Sequence, residues 1–374
     1  MHDVLAGYAE RGELPGFVAL VSRRGEEHVL CVGYKRDTIF RIASMTKPVV
    51  AVAACILVEE GVIRLDDPID ELVPELANLK VLRTLDAAIT DTVPANRSIT
   101  IRDLLTFTLG TGFIFAEAGT YPIQDALADS PLNDRRKLTP DEYLRALSQF
   151  PLMRQPGAAW LYNTGSEILA ILVGRASGLS FGEFLKQRIF KPLEMKDTGF
   201  WVPKAKVRRL PTAYMPSSDG LKVEDDAQGG AYVSPPALES GGGGLVGTVD
   251  DFHAFARMLL RHGAVDSTRI LARPTVEAMT TDQLSPAQKA ASPWNATYWE
   301  NHGWGWGVGV VTRRFEGSST PGQYGWNGGY GTTWRSDPRE DLIAILMTQV
   351  GMTGPEGPAI FRDFRTLAYA AIDD

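Results

Sequence analysis

The sequence predicts a mixed α/β protein: an antiparallel sheet flanked by helices, with a mainly helical lobe inserted into the chain. Three observations support this fold class. Strand-like segments lie near both chain ends, helical patterns fill the middle, and 374 residues are too many for one simple core. We expect residues 1–65 and 240–374 to form one α/β lobe and residues 66–239 to form the helical lobe.

The N-terminal segment is predicted to form a hairpin followed by a helix. Residues 17–21 and 28–32 are apolar and flank a glycine-containing turn, which is typical of two antiparallel strands. A helix is predicted from about Ser44 to Glu60, and Gly61 is well placed to end it.

The remaining elements follow from the same periodicities. Helices are predicted at residues 98–105, from 139 onward, and at 166–176 and 181–190. Strands are predicted at residues 303–311, 330–336 and 342–350, and a final helix at 359–372. The apolar spacing of that last helix indicates that it packs on the sheet.

The composition excludes several classes of function. Lysine and arginine number 38 against 45 aspartates and glutamates, a net charge of −7, so no basic surface for nucleic acid is expected. No apolar stretch approaches the ~18 residues of a membrane span, and the N-terminus lacks the features of a signal peptide. We therefore expect a cytoplasmic protein without a membrane or nucleic-acid partner. The oligomeric state stays open.

Metal chemistry and cofactors are not expected. The five histidines are scattered, and no HExxH or comparable ligand spacing occurs. The two cysteines, Cys31 and Cys55, lie in apolar surroundings and outside any CxxC motif. Both are interpreted as small buried hydrophobic residues.

The segment Ser44-Met45-Thr46-Lys47 is a candidate nucleophile with its base. Pro48 lacks a backbone N–H, so it places Ser44 in the first helical turn, where free N–H groups favour a developing anion. Residues at i and i+3 share one helical face, and a partly desolvated lysine there can be neutral and accept the serine proton. An SxxK match alone is weak evidence, because a capped surface helix gives the same pattern.

Two further segments add candidates. Tyr162 ends a loop just before a helix, where its hydroxyl can act as phenolate or proton relay; the alternative is a buried ring with a satisfied hydroxyl. Residues 325–332 resemble a glycine-rich strand that lets a ligand approach and supplies an N–H to an oxyanion hole. The alternative there is a hairpin corner with a core tryptophan.

Taken together, SxxK, PGxxWxY and WxGxxGT in this order resemble the serine β-lactamase and penicillin-binding-protein superfamily. The chain is most similar to the family VIII carboxylesterases, which are class-C-β-lactamase-like esterases. Supporting matches occur at residues 14–16, 40–47, 99–106, 197–200 and 240–245.

The resemblance implies a role for each matching residue. Ser44 would be the nucleophile that forms an acyl-enzyme, Lys47 would take its proton, and Tyr162 would relay protons. The N–H groups of Ser44 and Gly329 would form the oxyanion hole. The active site would lie between the two lobes.

Two departures from the lactamase pattern bear on the substrate. Asn163 stands one place earlier than the asparagine of that pattern, so its role does not carry over. Trp326 replaces a lysine that grips the substrate carboxylate in β-lactamases and peptidases. We expect Trp326, Gly328 and Tyr330 to contact substrate, and neutral esters to be preferred over β-lactams.

Three other patterns are interpreted as structural. Ser180 lies in a GxSxG match, but a helical stretch precedes it where a nucleophile elbow needs a strand, so Ser180 is predicted to cap a helix. Residues 242–247 match GxGxxG without the preceding strand of a dinucleotide site; a close backbone approach and a helix capped at Thr248 are expected. His253 and His262 are not expected to act as a triad base.

The function expected from the sequence is therefore a serine carboxylesterase for short-chain acyl esters, with a small-molecule ester as its partner. A weak β-lactamase or an acyltransferase on the same apparatus is one alternative. A non-catalytic homologue that binds a ligand is another.

Overall fold

A seven-stranded antiparallel sheet forms the centre of the computed structural model, which describes residues 1–373. The strands are β1 Phe17–Arg23, β2 Glu26–Val32, β3 Phe40–Arg41, β4 Lys80–Leu82, β5 Thr92–Pro94, β6 Ala213–Ser217, β7 Gly220–Asp225, β8 Val246–Gly247, β9 Ala264–Val265, β10 Thr268–Arg269, β11 His302–Trp304, β12 Gly309–Val311, β13 Tyr324–Gly328, β14 Thr332–Asp337 and β15 Leu342–Met347. The α-helices are α1 His2–Glu10, α2 Thr46–Glu59, α3 Ile101–Thr106, α4 Pro122–Ala128, α5 Pro140–Leu147, α6 Thr164–Ser177, α7 Phe181–Leu185, α8 Val249–Leu260, α9 Arg273–Met279, α10 Pro286–Ala290 and α11 Ala359–Ala370. Shorter turns of 3₁₀ helix lie at Ala43–Met45, Pro74–Leu76, Pro131–Lys137, Lys204–Arg209, Ala231–Val233 and Ala296–Glu300, and a π-helical turn at Lys186–Phe190.

The main sheet joins the two ends of the chain. Its order is β11-β12-β13-β14-β15-β1-β2, and β1 pairs with β15 so that Val18 lies opposite Met347. This confirms the predicted fold class, an antiparallel sheet with helices on it. The lobe boundaries stay a prediction, and the middle segment also holds the strand pairs β4–β5 and β6–β7.

Helices cover both faces of this sheet. The largest apolar cluster includes residues of α2, α6, α8 and the sheet, among them Val50, Leu172 and Trp334, and α8 packs against β1 and β15. A second cluster packs α1 and α11 against the other face and includes Leu346 and Phe361. Burial of apolar side chains on two faces makes the sheet a rigid support for the segments at its edge.

The helix predicted from Ser44 begins later than expected. Ser44 lies in the 3₁₀ turn Ala43–Met45, and α2 starts at Thr46. Gly61 follows the helix with φ +70, the left-handed conformation that glycine adopts at helix ends. The 3₁₀ turn therefore places Ser44 directly before the N-terminus of α2 rather than inside the helix.

Local predictions had mixed outcomes. The segment predicted as one strand at 303–311 is the hairpin β11–β12, because its glycines allow a tight turn in the middle. Ser180 and Thr248 cap α7 and α8, as predicted, and each accepts a backbone N–H three residues on. Cys55 is buried as predicted. The prediction for Cys31 was wrong, since it lies exposed on β2, the edge strand of the sheet.

Within residues 1–373 no single helix is long and apolar enough to cross a membrane. Helix α6 together with Phe181–Phe190 passes that test only as a pair bent by 78°, and α6 is largely buried in the core. The same residues hold no group of three or more His, Cys, Asp or Glu side chains placed to bind a metal ion.

Candidate active site

Ser44 and Lys47 are in direct contact at the start of α2. The Lys47 Nζ atom lies 2.9 Å from the Ser44 Oγ atom and also donates to the carbonyl oxygen of Gly242. The spacing of three residues across a 3₁₀ turn and the first turn of α2 places both side chains on one face. Lys47 has no exposed surface. The sequence prediction for this pair thus corresponds to an actual contact.

The environment of Lys47 favours its neutral form. Burial lowers the pKa of Lys47 to about 7, with the positive charge of Arg135 acting in the same direction and the carboxylate of Glu167 opposing it. A lysine with a pKa near neutrality is deprotonated in a large fraction of molecules at pH 7 and above. It can then accept the proton of the Ser44 hydroxyl.

Glu167 is a site residue that the sequence reasoning missed. It lies in the first turn of α6 with 1% of its surface exposed, and its Oε1 atom lies 3.0 Å from the Arg135 Nε atom. The Ser240 hydroxyl donates to the same oxygen at 2.7 Å. Oε2 has no hydrogen-bond partner among the described residues. The available signal was one acidic residue directly before an apolar run in α6.

The Tyr162 ring lies against the Lys47 amine, and its hydroxyl is hydrogen-bonded to Trp326. The Lys47 Nζ atom is 4.5 Å from the centre of the Tyr162 ring, and the Trp326 indole N–H donates to the Tyr162 hydroxyl at 2.7 Å. Burial raises the pKa of Tyr162 to about 12, while hydrogen bonds with Ser44 and Trp326 act in the opposite direction. The phenol is therefore the favoured form, which supports a proton relay over a phenolate base.

Strained backbone flanks both Ser44 and Tyr162. Asn163 has φ 82 and ψ −57, and the Thr164 N–H bonds to the Tyr162 carbonyl at 3.2 Å, which together form the rare positive-φ γ-turn. Ala43 has φ 45, also unusual for a residue with a side chain. Such conformations cost about 1–3 kcal/mol each and persist only where the surroundings impose them. Each lies directly beside one of the two candidate catalytic residues.

Glycines let the loop at 241–243 approach the site closely, as the sequence predicted. A Cβ atom at Gly242 would lie 2.4 Å from the Glu167 Oε1 atom and 2.8 Å from the Asn163 Oδ1 atom. One at Gly241 would lie 2.2 Å from the Ser166 carbonyl oxygen. Only glycine fits these positions, and the result is the Gly242 carbonyl within reach of Lys47.

The predicted oxyanion residues border one cavity. Ser44, Gly329 and Tyr330 all line a cavity of about 560 Å³. Gly328 lines neither this cavity nor the one beside Trp326, and a Cβ atom there would be 2.2 Å from the Ile42 carbonyl oxygen. The structure thus brings Ser44 and Gly329 together, and the role of their N–H groups stays a prediction.

The Trp326 side of the site is an aromatic cluster. Trp326 packs edge-on against Trp304 at 4.7 Å and lies 5.7 Å from the Tyr162 ring. Trp294 stands 5.4 Å from the Tyr162 ring. His253, by contrast, is buried on α8 with Glu27 as its neighbour at 3.5 Å and lines neither the cavity with Ser44 nor the one beside Trp326.

Comparison with known proteins agrees with the fold described above. The family model named Beta-lactamase matches residues 1–363. The Mycobacterium tuberculosis protein Rv1367c is 38% identical over 356 residues (91% of this chain and 87% of that protein), and the esterase EstB of Burkholderia gladioli is 30% identical over 382 residues (92% and 88%). The solved structure of EstCE1, described as a hydrolase with promiscuous acyltransferase activity, superimposes with a TM-score of 0.79 at 23% identity and covers 98% of this chain and 97% of its own. The chain therefore belongs to the Beta-lactamase family.

Proposed function

We propose that this protein is a serine carboxylesterase similar to family VIII, which hydrolyses short-chain acyl esters through an acyl-enzyme on Ser44. One observation carries the proposal. The Ser44 Oγ atom lies 2.9 Å from a fully buried lysine whose pKa burial lowers to about 7. A serine hydroxyl beside a neutral amine is an activated nucleophile.

The reaction follows from the contacts at this pair. Ser44 Oγ attacks the ester carbonyl carbon while its proton passes to Lys47. The backbone N–H groups of Ser44 and Gly329 then donate hydrogen bonds to the carbonyl oxygen as its negative charge develops. When the C–O bond of the ester breaks, the proton moves through the Tyr162 hydroxyl to the departing alcohol. Water then adds to the acyl-enzyme by the same route in reverse and releases the acid.

Trp326 favours esters over β-lactams. An indole supplies no charge to hold the carboxylate of a lactam at this position, whereas its ring offers an apolar surface to the substrate. Its N–H is already used, because it donates to the Tyr162 hydroxyl at 2.7 Å. A substrate at Trp326 therefore meets the ring rather than a donor.

The test compares two serines. We expect Ser44→Ala to abolish hydrolysis of p-nitrophenyl butyrate and labelling by a fluorophosphonate probe. Ser180→Ala, the matched control in the GxSxG segment, should retain both, because Ser180 only caps α7. Activity that survives Ser44→Ala and disappears in Ser180→Ala would overturn the proposal.

An acyltransferase is the second candidate, favoured by the aromatic surroundings of Tyr162. Burial is the main cause of the raised pKa of the Tyr162 hydroxyl. The centres of four other aromatic rings lie within 6 Å of the centre of the Tyr162 ring. Such surroundings hinder water as the second acceptor. Faster acyl transfer to an added alcohol than to water would favour this candidate. Turnover of a chromogenic cephalosporin without ester hydrolysis would favour a β-lactamase, and absence of probe labelling would favour a non-catalytic binding protein.

A further inference from the structure

A second cavity of about 290 Å³ lies beside Trp326, and no part of the reaction described above uses it. Much of its wall is aromatic. Tyr298 and His302 stack with their ring centres 4.4 Å apart, and Phe315 packs on His302 at 5.1 Å. The remaining wall includes two arginines, Arg335 on β14 and Arg365 on α11.

Neither arginine has a carboxylate partner. Across residues 1–373, no aspartate or glutamate oxygen lies within 4.0 Å of the guanidinium of Arg335 or Arg365. Arg335 donates only to neutral acceptors, the Trp334 carbonyl at 2.6 Å and the Thr333 hydroxyl at 3.4 Å. Glu356 also lines the cavity, where it accepts from the Asn295 amide at 3.4 Å.

The two positive charges are poorly compensated. Burial lowers the pKa of both arginines, and their mutual repulsion lowers that of Arg335 further. Attraction from Glu316 opposes these effects at both arginines without forming an ion pair. His302 adds no charge near neutrality, because burial lowers its pKa to about 4. Half-buried guanidinium groups that keep their charge in such a cavity are stabilised by an anion.

A buried arginine elsewhere in the chain shows the contrast. Arg41 has no exposed surface, yet it is bound by the carboxylate of Asp225 and by the Pro211 carbonyl at 2.6 Å. The fold therefore does pair a buried guanidinium where the role is structural. The cavity beside Trp326 lacks that internal partner, and its walls leave space for one from outside.

The position of the cavity relative to Tyr162 indicates which part of a substrate reaches it. Trp326 and Trp294 line the cavity and also pack on the Tyr162 ring, at 5.7 Å and 5.4 Å. Tyr162 passes the proton to the departing alcohol in the proposed reaction. The alcohol side of the ester therefore faces this cavity, and the acyl side faces the cavity that Gly329 and Tyr330 border.

We propose that this cavity binds a carboxylate carried on the alcohol portion of the ester substrate, held by Arg335 and Arg365. The inference rests on the proposed esterase function and narrows its substrate class to esters of hydroxy acids. The guanidinium forks of the two arginines match the two oxygens of a carboxylate. The positive charge missing at position 326 is then supplied from β14 and α11.

A series of ω-carboxyalkyl butyrates tests this, with two to five methylenes between the ester oxygen and the carboxylate. The matched terminal carboxamides have the same length and a similar leaving alcohol without the charge. We expect kcat/KM for the carboxylate to exceed that for the carboxamide by about tenfold or more at the best length, as for a hydrogen bond to a charged group. A ratio near one at every length would overturn the proposal.

Variants locate the effect. Arg335→Met and Arg365→Met should each reduce the carboxylate-to-carboxamide ratio severalfold at that length. Arg339→Met is the matched control, since this exposed arginine lies just beyond β14 and outside the cavity. A ratio that is unchanged by either cavity variant, or that falls equally in Arg339→Met, would contradict the assignment.

Binding separates failure of this site from failure of the esterase function. Glutarate should quench or shift tryptophan fluorescence in Ser44→Ala, because Trp294 and Trp326 line the cavity. The change should be weaker in Ser44→Ala carrying Arg335→Met. Binding of glutarate by a protein that hydrolyses no p-nitrophenyl butyrate would sink the esterase proposal and retain the anion site. Hydrolysis of p-nitrophenyl butyrate without glutarate binding would overturn the anion site and retain the esterase proposal.

Discussion

Two cations near Tyr162, the fully buried Lys47 and the half-buried Arg335, differ in how the fold accommodates their charge. On one side Lys47 is enclosed completely, and burial lowers its pKa to about 7. On the other side Arg335 is enclosed in an aromatic cavity without a carboxylate in ion-pairing distance among the described residues. Lysine can release its proton when it is desolvated, whereas arginine in practice cannot.

The difference separates catalysis from recognition. A neutral lysine is a base that is ready before any substrate arrives. A guanidinium that must stay charged becomes stable only when an anion reaches it. The proposed reaction at Ser44 and the proposed anion site beside Trp326 therefore use the same physical effect, the loss of water around a cation. Substitutions on each side can test this distinction.

The largest expected effect is at Lys47. Lys47→Met removes the base, and a general base typically contributes 10²–10⁴-fold, so kcat/KM for p-nitrophenyl butyrate should fall about 1,000-fold or more. Lys47→Arg should lose as much, because the guanidinium stays protonated. Thermal unfolding should show that Lys47→Met is no less stable than the native protein, since a desolvated amine is replaced by an apolar chain. Substantial activity in Lys47→Arg would contradict the neutral-base role.

A smaller effect is expected where the two sides meet, at Trp326. Trp326→Phe keeps an aromatic ring but removes the N–H that donates to the Tyr162 hydroxyl, so kcat should fall about tenfold, the worth of one hydrogen bond. Trp304→Phe is the matched control. It lies in the same cluster, and its indole nitrogen has no hydrogen-bond partner among the described residues. Equal losses of kcat in both variants would assign the effect to packing alone.

These two tests also show what the sequence could predict. Ser44 and Lys47 are three residues apart, so helical spacing predicts that they share one face, and the structure places them in contact. Trp326 and Tyr162 are 164 residues apart, and only a resemblance to a known family could suggest that they meet. Their hydrogen bond depends on how β13 packs on the loop before α6. No local pattern encodes that packing.

The residues that sequence reasoning missed also depend on packing between segments that are far apart in the sequence. Glu167 influences Lys47 from a different helix, and Arg335 and Arg365 converge on one cavity from β14 and α11. The γ-turn at Asn163 was also missed. Asparagine tolerates positive φ, but its presence in a sequence does not predict that conformation. The N-terminal hairpin and the helix caps were accessible because they depend on alternation and on neighbours a few residues apart.

The pH dependence gives a graded test of the Lys47 side. Lys47 is neutral above its pKa, so kcat/KM should rise through about pH 7 and fall below it as the amine gains a proton. Glu167 favours the protonated amine, so Glu167→Gln should move this limb to lower pH. Arg135→Gln should move it to higher pH. The measurement is the pH profile of kcat/KM for p-nitrophenyl butyrate in the three proteins. Shifts in the same direction for both variants would point to a general disturbance of the site rather than charge.

The smallest expected effect is at the backbone that holds Tyr162. Asn163→Gly relieves the positive φ of the γ-turn, a strain of about 1–3 kcal/mol, and costs about 0.5–1 kcal/mol in chain entropy. Chemical denaturation should therefore show a gain in stability of about 1 kcal/mol. Activity should fall severalfold, because the Tyr162 hydroxyl is held less firmly.

Asn78→Gly is the matched control for that variant, because Asn78 also has a positive φ of 58 but is exposed and lies outside the cavity that holds Ser44. It should change stability by a similar or smaller amount and leave kcat unaltered. If Asn163→Gly gained stability with full activity, the strain at Tyr162 would have no catalytic purpose. The Trp326 hydrogen bond would then orient the Tyr162 hydroxyl. In that case a residue that lines the proposed anion cavity would also position the proton relay.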